Sequence, residues 1–549
     1  MAERNFVKTV ASGIRDNWLK EAYSDYEGDT YLYKEVAEKI VKFHMIFAKH
    51  KIGIGSKIAI LGKNSRNWAV TYMATVLNGS IAVPILSDFH REDIQNILSH
   101  SGTDVLFVTE EYYPGIDVAT LPDLRAIFNL SDFSLLYSRG TGLEEEVANI
   151  QQTFDLKYPN GLEPADFTVP EVSNKEIITI NYTSGTAGFS KGVVLNYKAF
   201  MANLQYAQDN MPLEPGNKIV AFLPLAHTYG CAFDFIFPTT LGCHITFLGK
   251  IPSPAVILKA FQEIKPHLVM FVPLVLEKIY TTRLLPKLRK PMMKILLAIP
   301  GINTIIHRKI NKQLSESFGG RFREIVIGGA ALNPEVEAFL KKIKFQFSVG
   351  YGMTECGPLV SYAGWKTHRN GASGKAVDSL VMKIDSFDPY KEVGEIMVRG
   401  ENVLLEYYKN SDATQASLTS DGWLRTGDLG VFDKDHYIYI KGRSKNMILG
   451  PSGQNIYPEE IEAKLNTMPC VIESVVAERS NKLVAMVFPN AETEDSGTLS
   501  REDLEEQMEK NRISLNNRLP KYQQVVSIEL VAEEFEKTPK KSIKRYLYK

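Results

Sequence analysis

Apolar and polar positions follow two periods along the first part of the chain. Between Lys34 and Phe47, Val36, Ile40, Phe43 and Phe47 recur at helical spacing, which predicts a one-sided helix. Lys57–Leu61 is a short β-branched run and predicts a strand; Asn67–Asn78 predicts a helix and Ile81–Ile85 another strand. Arg91–Leu98 reads as helix again and Asp104–Thr109 as strand. Alternation of this kind builds a parallel sheet covered by helices. Residues Gly115 to Val172 are richer in turns and charge and are expected to connect this α/β unit to a second.

The second series runs through a helix over Tyr197–Asn210, a strand over Lys218–Phe222 and the loop Leu223–Gly230. A strand over His267–Val272, a helix from Leu274, and strands Glu324–Ile327 and Phe345–Val349 continue it. Pro334 stands at the start of the helix between the last two, where its missing N–H costs nothing. From Gly394 the texture changes to short alternating strands and tight turns (Gly394–Gly400, Asp421-Gly422, Tyr437–Ile440), an antiparallel, barrel-like segment. Past Gly442-Arg-Ser-Lys445 the pattern is mixed, and Pro458 opens a helix with Glu459, Glu460 and Glu462 in its first turns, which suits the helix dipole. A chain of 549 residues is too long for one core. The expected fold class is α/β: a large N-terminal domain (1–444) of two α/β subdomains plus a β-barrel-like segment, and a small α+β C-terminal domain (445–549) of about a hundred residues, a common domain size.

One stretch interrupts this texture. An apolar, β-branched run opening at Ile177 reads as a buried strand; Thr183, Ser184, Gly185, Thr186 and Gly188 come next, then Lys191, then the strand-like Val193-Val194-Leu195. Glycines let a backbone close around an anion, successive N–H groups and hydroxyls point inward as donors, and a lysine adds a point charge. Those are the parts of a loop that holds a polyphosphate, and also the residues of an ordinary hairpin turn. The spacing is not Gly-x-x-x-x-Gly-Lys-[Ser/Thr], and a strand comes where that motif opens a helix. Gly188-Phe-Ser190-Lys-Gly192 matches the Gly-x-Ser-x-Gly elbow of serine hydrolases, which needs a helix directly after the serine. A hydrolase built on Ser190 therefore ranks last.

Composition narrows the classes further. With 44% apolar and 23% charged residues and a net charge of −1, the chain is an ordinary globular protein without the field that draws nucleic acid. Cys231, Cys243, Cys356 and Cys470 are scattered without Cys-x-x-Cys spacing, and no His-Glu-x-x-His occurs, against a disulfide framework or zinc site and for a reducing compartment. The N-terminus lacks a signal-peptide core, and no segment reaches the apolar length that crosses a bilayer, so a cytoplasmic location is expected. The nearest approach, Met292–Ile306, is broken by Lys294 and Pro300-Gly301 and flanked by Arg283, Lys287, Arg289, Lys290, Arg308, Lys309 and Lys312. Residues 283–312 read either as a helical hairpin packed on the core with solvated lysines, the favoured reading, or as a surface lying on anionic membrane.

Further polar clusters need an account. Glu355 comes after Thr354 at the end of a buried strand, where α/β folds expose ligand-binding groups, and a carboxylate there suits Mg²⁺ shared with phosphate oxygens. Tyr351 offers a flat ring on which a base can stack. Asp428, in Trp423–Gly430, and Arg443, in Lys441–Lys445, bracket a short strand pair and can grip a ribose diol from two sides. His227 is a gate or a capped loop histidine. Tyr229, Phe233 and Phe235 after it line an acyl pocket or pack in the core.

Taken together, Tyr182–Gly192, Gly350–Glu355, Trp423–Asp428 and Gly442–Lys445 through Gly453–Glu462 resemble the acyl-adenylate-forming superfamily of acyl-CoA synthetases, adenylation domains and luciferases. Motif identity, order and spacing agree over nearly the whole chain. Within it, Leu223–His227, Lys63–Trp68 and the basic-apolar insert are most similar to long-chain fatty-acid–CoA ligases. The resemblance implies a two-step reaction. A fatty-acid carboxylate attacks the α-phosphorus of ATP to give acyl-AMP and pyrophosphate, and the thiol of CoA, or of an acyl carrier protein, then attacks the acyl carbonyl. It implies ATP, Mg²⁺ and CoA, with Thr183, Ser184, Gly185, Thr186, Gly188 and Lys191 on the phosphates and Glu355 with Thr186 on the metal. Tyr351 and Gly329-Ala330 border adenine, Gly352 and Thr354 lie beside the nucleotide, Asp428 and Arg443 hold the ribose, and His227 joins Lys191 and Glu355 as catalytic. Lys445 corresponds to a hinge about which a mobile small domain rotates between steps.

The chain also departs from the pattern. Ala187 and Ser190 replace the more usual threonine and proline. The family's late motif, Lys-Thr-Pro-x-x-Lys-Ile-x-Arg, occurs as Lys537–Arg545 with Ser542 at the lysine position. Losing that charge would cost about a hundredfold in rate. Lys541 or Lys540 substitutes for it after a change of register, or the tail is a solvated end. Alternatives therefore stay open: an adenylate former for an aryl acid or a carrier protein, or an acyl- and nucleotide-binding homologue with weakened chemistry.

Overall fold

The computed structural model describes residues 4–140, 142–183, 191–249, 253–449, 454–479, 482–490, 492–493, 497–538 and 543–548. Eight strands form its largest sheet. From one edge to the other they are Glu406–Tyr407, Lys191–Asn196, Ile177–Thr183, Ile81–Ile85, Lys57–Leu61, Val105–Val108, Ala126–Asn129 and Leu135–Ser138. Lys57–Leu61 pairs in parallel with both Ile81–Ile85 and Val105–Val108, and helices Arg66–Leu77 and Arg91–Ser101 make the crossovers such pairing demands. Ile81–Ile85 is buried at every position, as a strand covered on both faces must be.

Two expectations change here. Residues 115–172 are more than a connection: they add the strands Ala126–Asn129 and Leu135–Ser138 and the helix Leu143–Lys157. That helix opens on Glu144, Glu145 and Glu146, which suit its dipole but read as a charged loop in sequence. The glycine stretch, moreover, completes this first sheet instead of starting a second. Thr179 pairs with Ala82, and its hydroxyl donates to the Ala82 carbonyl at 2.9 Å.

The second α/β unit consists of two adjoining sheets. One has the order Lys218–Ala221, His244–Phe247, Glu21–Asp25, Thr30–Leu32; the other is the all-parallel set Leu268–Phe271, Glu324–Ile327, Phe347–Val349. They join where the His267 N–H donates to the Lys218 carbonyl at 2.9 Å. The antiparallel expectation is met by Leu380–Asp385, Gly394–Gly400, Leu424–Phe432 and Ile438–Arg443, in that order. A small C-terminal unit has its own sheet (Val471–Arg479, Lys482–Pro489, Val525–Leu530) and its own core around Ile461, Leu465, Met508 and Leu515. Pro458 does open its first helix, Pro458–Leu465. Among the described residues, no helix is long and apolar enough to cross a membrane.

Candidate active site

The strands Ile177–Thr183 and Lys191–Asn196 run antiparallel, and the Thr183–Lys191 pair closes them. Their connection, with Ser184, Gly185, Thr186, Gly188 and Ser190, lies outside the described residues. Lys191 begins a strand and the next helix starts only at Tyr197, so position 190 leads into a strand and not into the helix that a hydrolase elbow needs after its serine. At Gly192 a Cβ would come within 2.9 Å of Ile180 Cγ2, and the cross-strand neighbours leave room for glycine alone.

Glu406–Tyr407 adds to this hairpin, with Tyr407 opposite Val193. The Tyr407 hydroxyl donates to Glu355 Oε1 at 2.9 Å, while Lys191 Nζ stands 5.0 Å from the centre of the same ring. The loop carrying Glu355 is tied to this strand by the Leu404 N–H, which donates to the Glu355 carbonyl at 2.8 Å. Lys191 and Glu355 thus meet across Tyr407, a residue that sequence reasoning missed. Its one signal, a tyrosine in a short run of uncertain period, does not separate it from packing. Burial pushes its hydroxyl well up, and the Glu355 charge adds to the shift, so it donates at every ordinary pH.

Asp428 and Arg443 face each other across the strand pair Leu424–Phe432 and Ile438–Arg443. Arg443 Nε lies 3.0 Å from Asp428 Oδ1, and the Tyr351 hydroxyl donates to Asp428 Oδ2 at 2.7 Å. Burial nevertheless raises the Asp428 carboxyl above its usual range. Arg443 opposes that rise only in part, because the guanidinium is half exposed and screened. Burial likewise raises the Tyr351 hydroxyl, with Asp428 beside it. Lys445 is lowered by burial first and by Arg443 next, and it also senses Asp428, Lys191 and Glu355. Four separate chain segments therefore converge on one polar spot.

Gly329-Ala330 and Tyr351 come after neighbouring parallel strands, Glu324–Ile327 and Phe347–Val349, beyond their carboxyl ends. Gly329 takes φ +85°, a conformation that favours glycine, and with Ala330 is exposed. Gly352 is a glycine for a different reason: a Cβ would strike the Pro358 carbonyl at 2.3 Å. Thr354 is buried in the turn Thr354–Cys356. Thr183 points its hydroxyl at the Lys191 carbonyl, 3.5 Å away.

His227 sits in a loop stitched to both units. Asn64 holds it from one side, donating to the Leu223 carbonyl at 2.7 Å and accepting from the Leu225 N–H at 2.9 Å. Asn181 donates to Ala226 at 3.2 Å, and Tyr229 donates to Val326 at 3.0 Å. The Lys63–Trp68 motif, read in sequence only as a mark of resemblance, thus props the histidine loop. The π-helical stretch Gly230–Ile236 comes next, and there Phe235 packs on Tyr23, Trp68, Tyr72 and Phe247. Asp234 within it is buried, its carboxyl raised far above the usual range by desolvation, and its Oδ2 has no partner among the described residues. Sequence reasoning passed over this group.

Lys540, Lys541 and Ser542 lie outside the described residues. On either side, Lys537 pairs with Glu473 at 2.6 Å and Arg545 with the buried Glu462 at 2.7 Å, so both flanks are tied to the small unit.

The chain belongs to the AMP-binding enzyme family, whose pattern it matches over residues 15–408. It is 26% identical over 452 residues to the long-chain-fatty-acid–CoA ligase FadD15 of Mycobacterium tuberculosis, covering 77% of this chain and 71% of that one. Long chain acyl-CoA synthetase 1 of Arabidopsis thaliana is 28% identical over 500 residues, covering 84% and 74%. Among solved structures, the anthranilate CoA ligase AuaEII in complex with anthranoyl-AMP has the same fold, with TM-score 0.78, 21% identity, and 99% and 96% of the two chains covered. ATP-bound MatB from Rhodopseudomonas palustris gives TM-score 0.75 at 21% identity, covering 99% and 98%.

Proposed function

We propose that this protein is an ATP-dependent fatty acyl–CoA ligase working in two steps. In the first, an oxygen of the fatty-acid carboxylate bonds to the α-phosphorus of ATP and the bond to pyrophosphate breaks. In the second, the CoA sulfur bonds to the acyl carbonyl carbon, AMP leaves and the thiol proton passes to solvent. The observation that carries this reading is the meeting of Lys191, Glu355, Asp428 and Lys445 at one place. Two anions must approach each other there, and fixed charges in a partly dry site lower that barrier more than water does.

The residues suit the nucleotide. Asp428, held from two sides by Tyr351 and Arg443, is an oriented acceptor for a ribose diol. Glu355 has one oxygen on Tyr407, and among the described residues no cluster of three or more His, Cys, Asp or Glu side chains forms a ready metal cage. Mg²⁺ here would be held by Glu355 together with phosphate oxygens, its usual manner, and would supply charge neutralisation on the phosphates. Lys191 and the glycine-rich connection supply the remaining donors.

The boundary at Lys445 fits a small domain that turns between steps, since a thiol must enter where pyrophosphate leaves. Long-chain fatty-acid ligases among the relatives favour a fatty acid over an aryl acid as substrate. The test is acid-dependent ATP–pyrophosphate exchange across a panel of acids, with thioester formation scored on adding CoA. Exchange that requires a fatty acid, succeeded by acyl-CoA, supports the proposal. Exchange with aryl acids alone, thioester only on a carrier protein, or no exchange at all overturns it.

A further inference from the structure

The insert between strands Leu268–Phe271 and Glu324–Ile327 carries the helices Leu285–Arg289, Pro291–Ala298 and Ile302–Ser317. Of the two sequence readings, the favoured one, packing on the core, fails for the hairpin's tip. Pro291–Ala298 buries no residue, and Ile302–Ser317 buries only Leu314. Instead Met292, Ile295 and Ile305 are 75%, 65% and 66% exposed, with Ile299 and Ile302 exposed between them. Met292 and Ile295 share one face of their helix by spacing, Ile299 stands just past its C-terminal end, and Ile302 and Ile305 share one face of theirs. Isolated surface isoleucines need no explanation, but a contiguous apolar tip does.

Charge says what covers it. Residues 278–315 contain nine Lys and Arg and no Asp or Glu, in a chain whose net charge is −1. Lys287, Arg289, Lys290, Lys294, Arg308 and Lys309 are all exposed around the apolar tip. A second copy of the chain would bring two such basic rims together in a two-fold contact, where like charges repel. The helices are too short to span a bilayer. We propose that this hairpin docks onto the surface of an anionic lipid bilayer, its isoleucines at the headgroup–acyl boundary and its lysines and arginines among the lipid phosphates. The inference does not rest on the enzymatic reading.

The test is flotation of the full-length protein with vesicles of pure phosphatidylcholine and with vesicles carrying roughly 30% phosphatidylglycerol, an anionic lipid. Binding is expected to the second only and to be released by salt. Two double variants, Ile295→Asp/Ile305→Asp and Lys294→Glu/Lys309→Glu, should each bind at least about tenfold less, at about fivefold per basic residue, with unchanged melting temperatures. The charge pair lies wholly on the surface, so it keeps the test valid if the isoleucine pair fails to fold. Equal affinity for both vesicles, undiminished binding by the charge variant, or a wild-type protein that ignores both vesicles would each overturn the proposal. So would sedimentation of a dimer that Ile295→Asp splits.

Discussion

Within the large unit, apolar packing fixes the elements that carry the site. Trp68 stacks on Tyr72 at 5.4 Å between ring centres, and Phe235 meets both edge-on at 6.3 and 5.9 Å. The seam with the small unit is built otherwise. Lys441 pairs with Glu460 at 3.2 Å, Arg518 pairs with Glu335 at 3.1 Å, and Asn333 donates to the Ala463 carbonyl. Separating a packed core exposes apolar surface at about 25 cal/mol per Å², whereas an exposed ion pair traded for water costs about 0–1 kcal/mol. The contrast suits the two-step proposal: the large unit holds groups still, and a polar seam is what a turning small domain would require.

The sharpest way to break that contrast is on the rigid side. Lys191→Ala and Glu355→Gln should each lower acid-dependent pyrophosphate exchange by about 10²–10³-fold, the cost of losing one preorganised electrostatic contact. Melting temperature should hardly change, since Lys191 is exposed and Glu355 only half-buried. Asp428→Asn comes next. It should raise KM for ATP by about 10–100-fold with a smaller change in kcat, because a charge-assisted acceptor is weakened while the site's other donors stay.

At the proposed hinge, Lys445→Pro fixes φ at the turn and should slow thioester formation by about tenfold. Pyrophosphate exchange should match that of Lys445→Ala, which removes the charge without the constraint. Tyr407→Phe should lower exchange by about fivefold, one hydrogen bond's worth, with Glu355 left less well oriented.

The smallest effect is a pH dependence. Burial raises the Asp234 carboxyl, so the folded state holds a proton there that the unfolded state has released above its ordinary pKa near 4. That group's contribution to stability is complete below the unfolded value and declines as pH rises toward the folded one. Asp234→Asn should remove this dependence, and its melting temperature should gain on wild type between pH 5 and 8.

Where end signals are local, the sequence is legible. The helix Tyr197–Asn210 has its predicted limits because Asn196 caps it, accepting from the Ala199 N–H at 2.9 Å. Pro334 and Pro458 open their helices for the same kind of reason. Glu21–Asp25 was illegible: a short, polar run becomes a strand because His244–Phe247 and Thr30–Leu32 flank it. Site residues divide likewise. Asp428 and Glu355 stand in recognisable motifs, but Tyr407 gains its role from pairing opposite Val193, and Asn64 from reaching a loop distant in sequence. Tertiary partners, not local pattern, place such groups.

The most direct measurement is a crystal structure with a non-hydrolysable acyl-adenylate analogue bound. Its ribose hydroxyls should lie within hydrogen-bonding distance of Asp428 and its phosphate between Lys191 and Glu355. An analogue seated away from those three residues would contradict the site proposed for this protein.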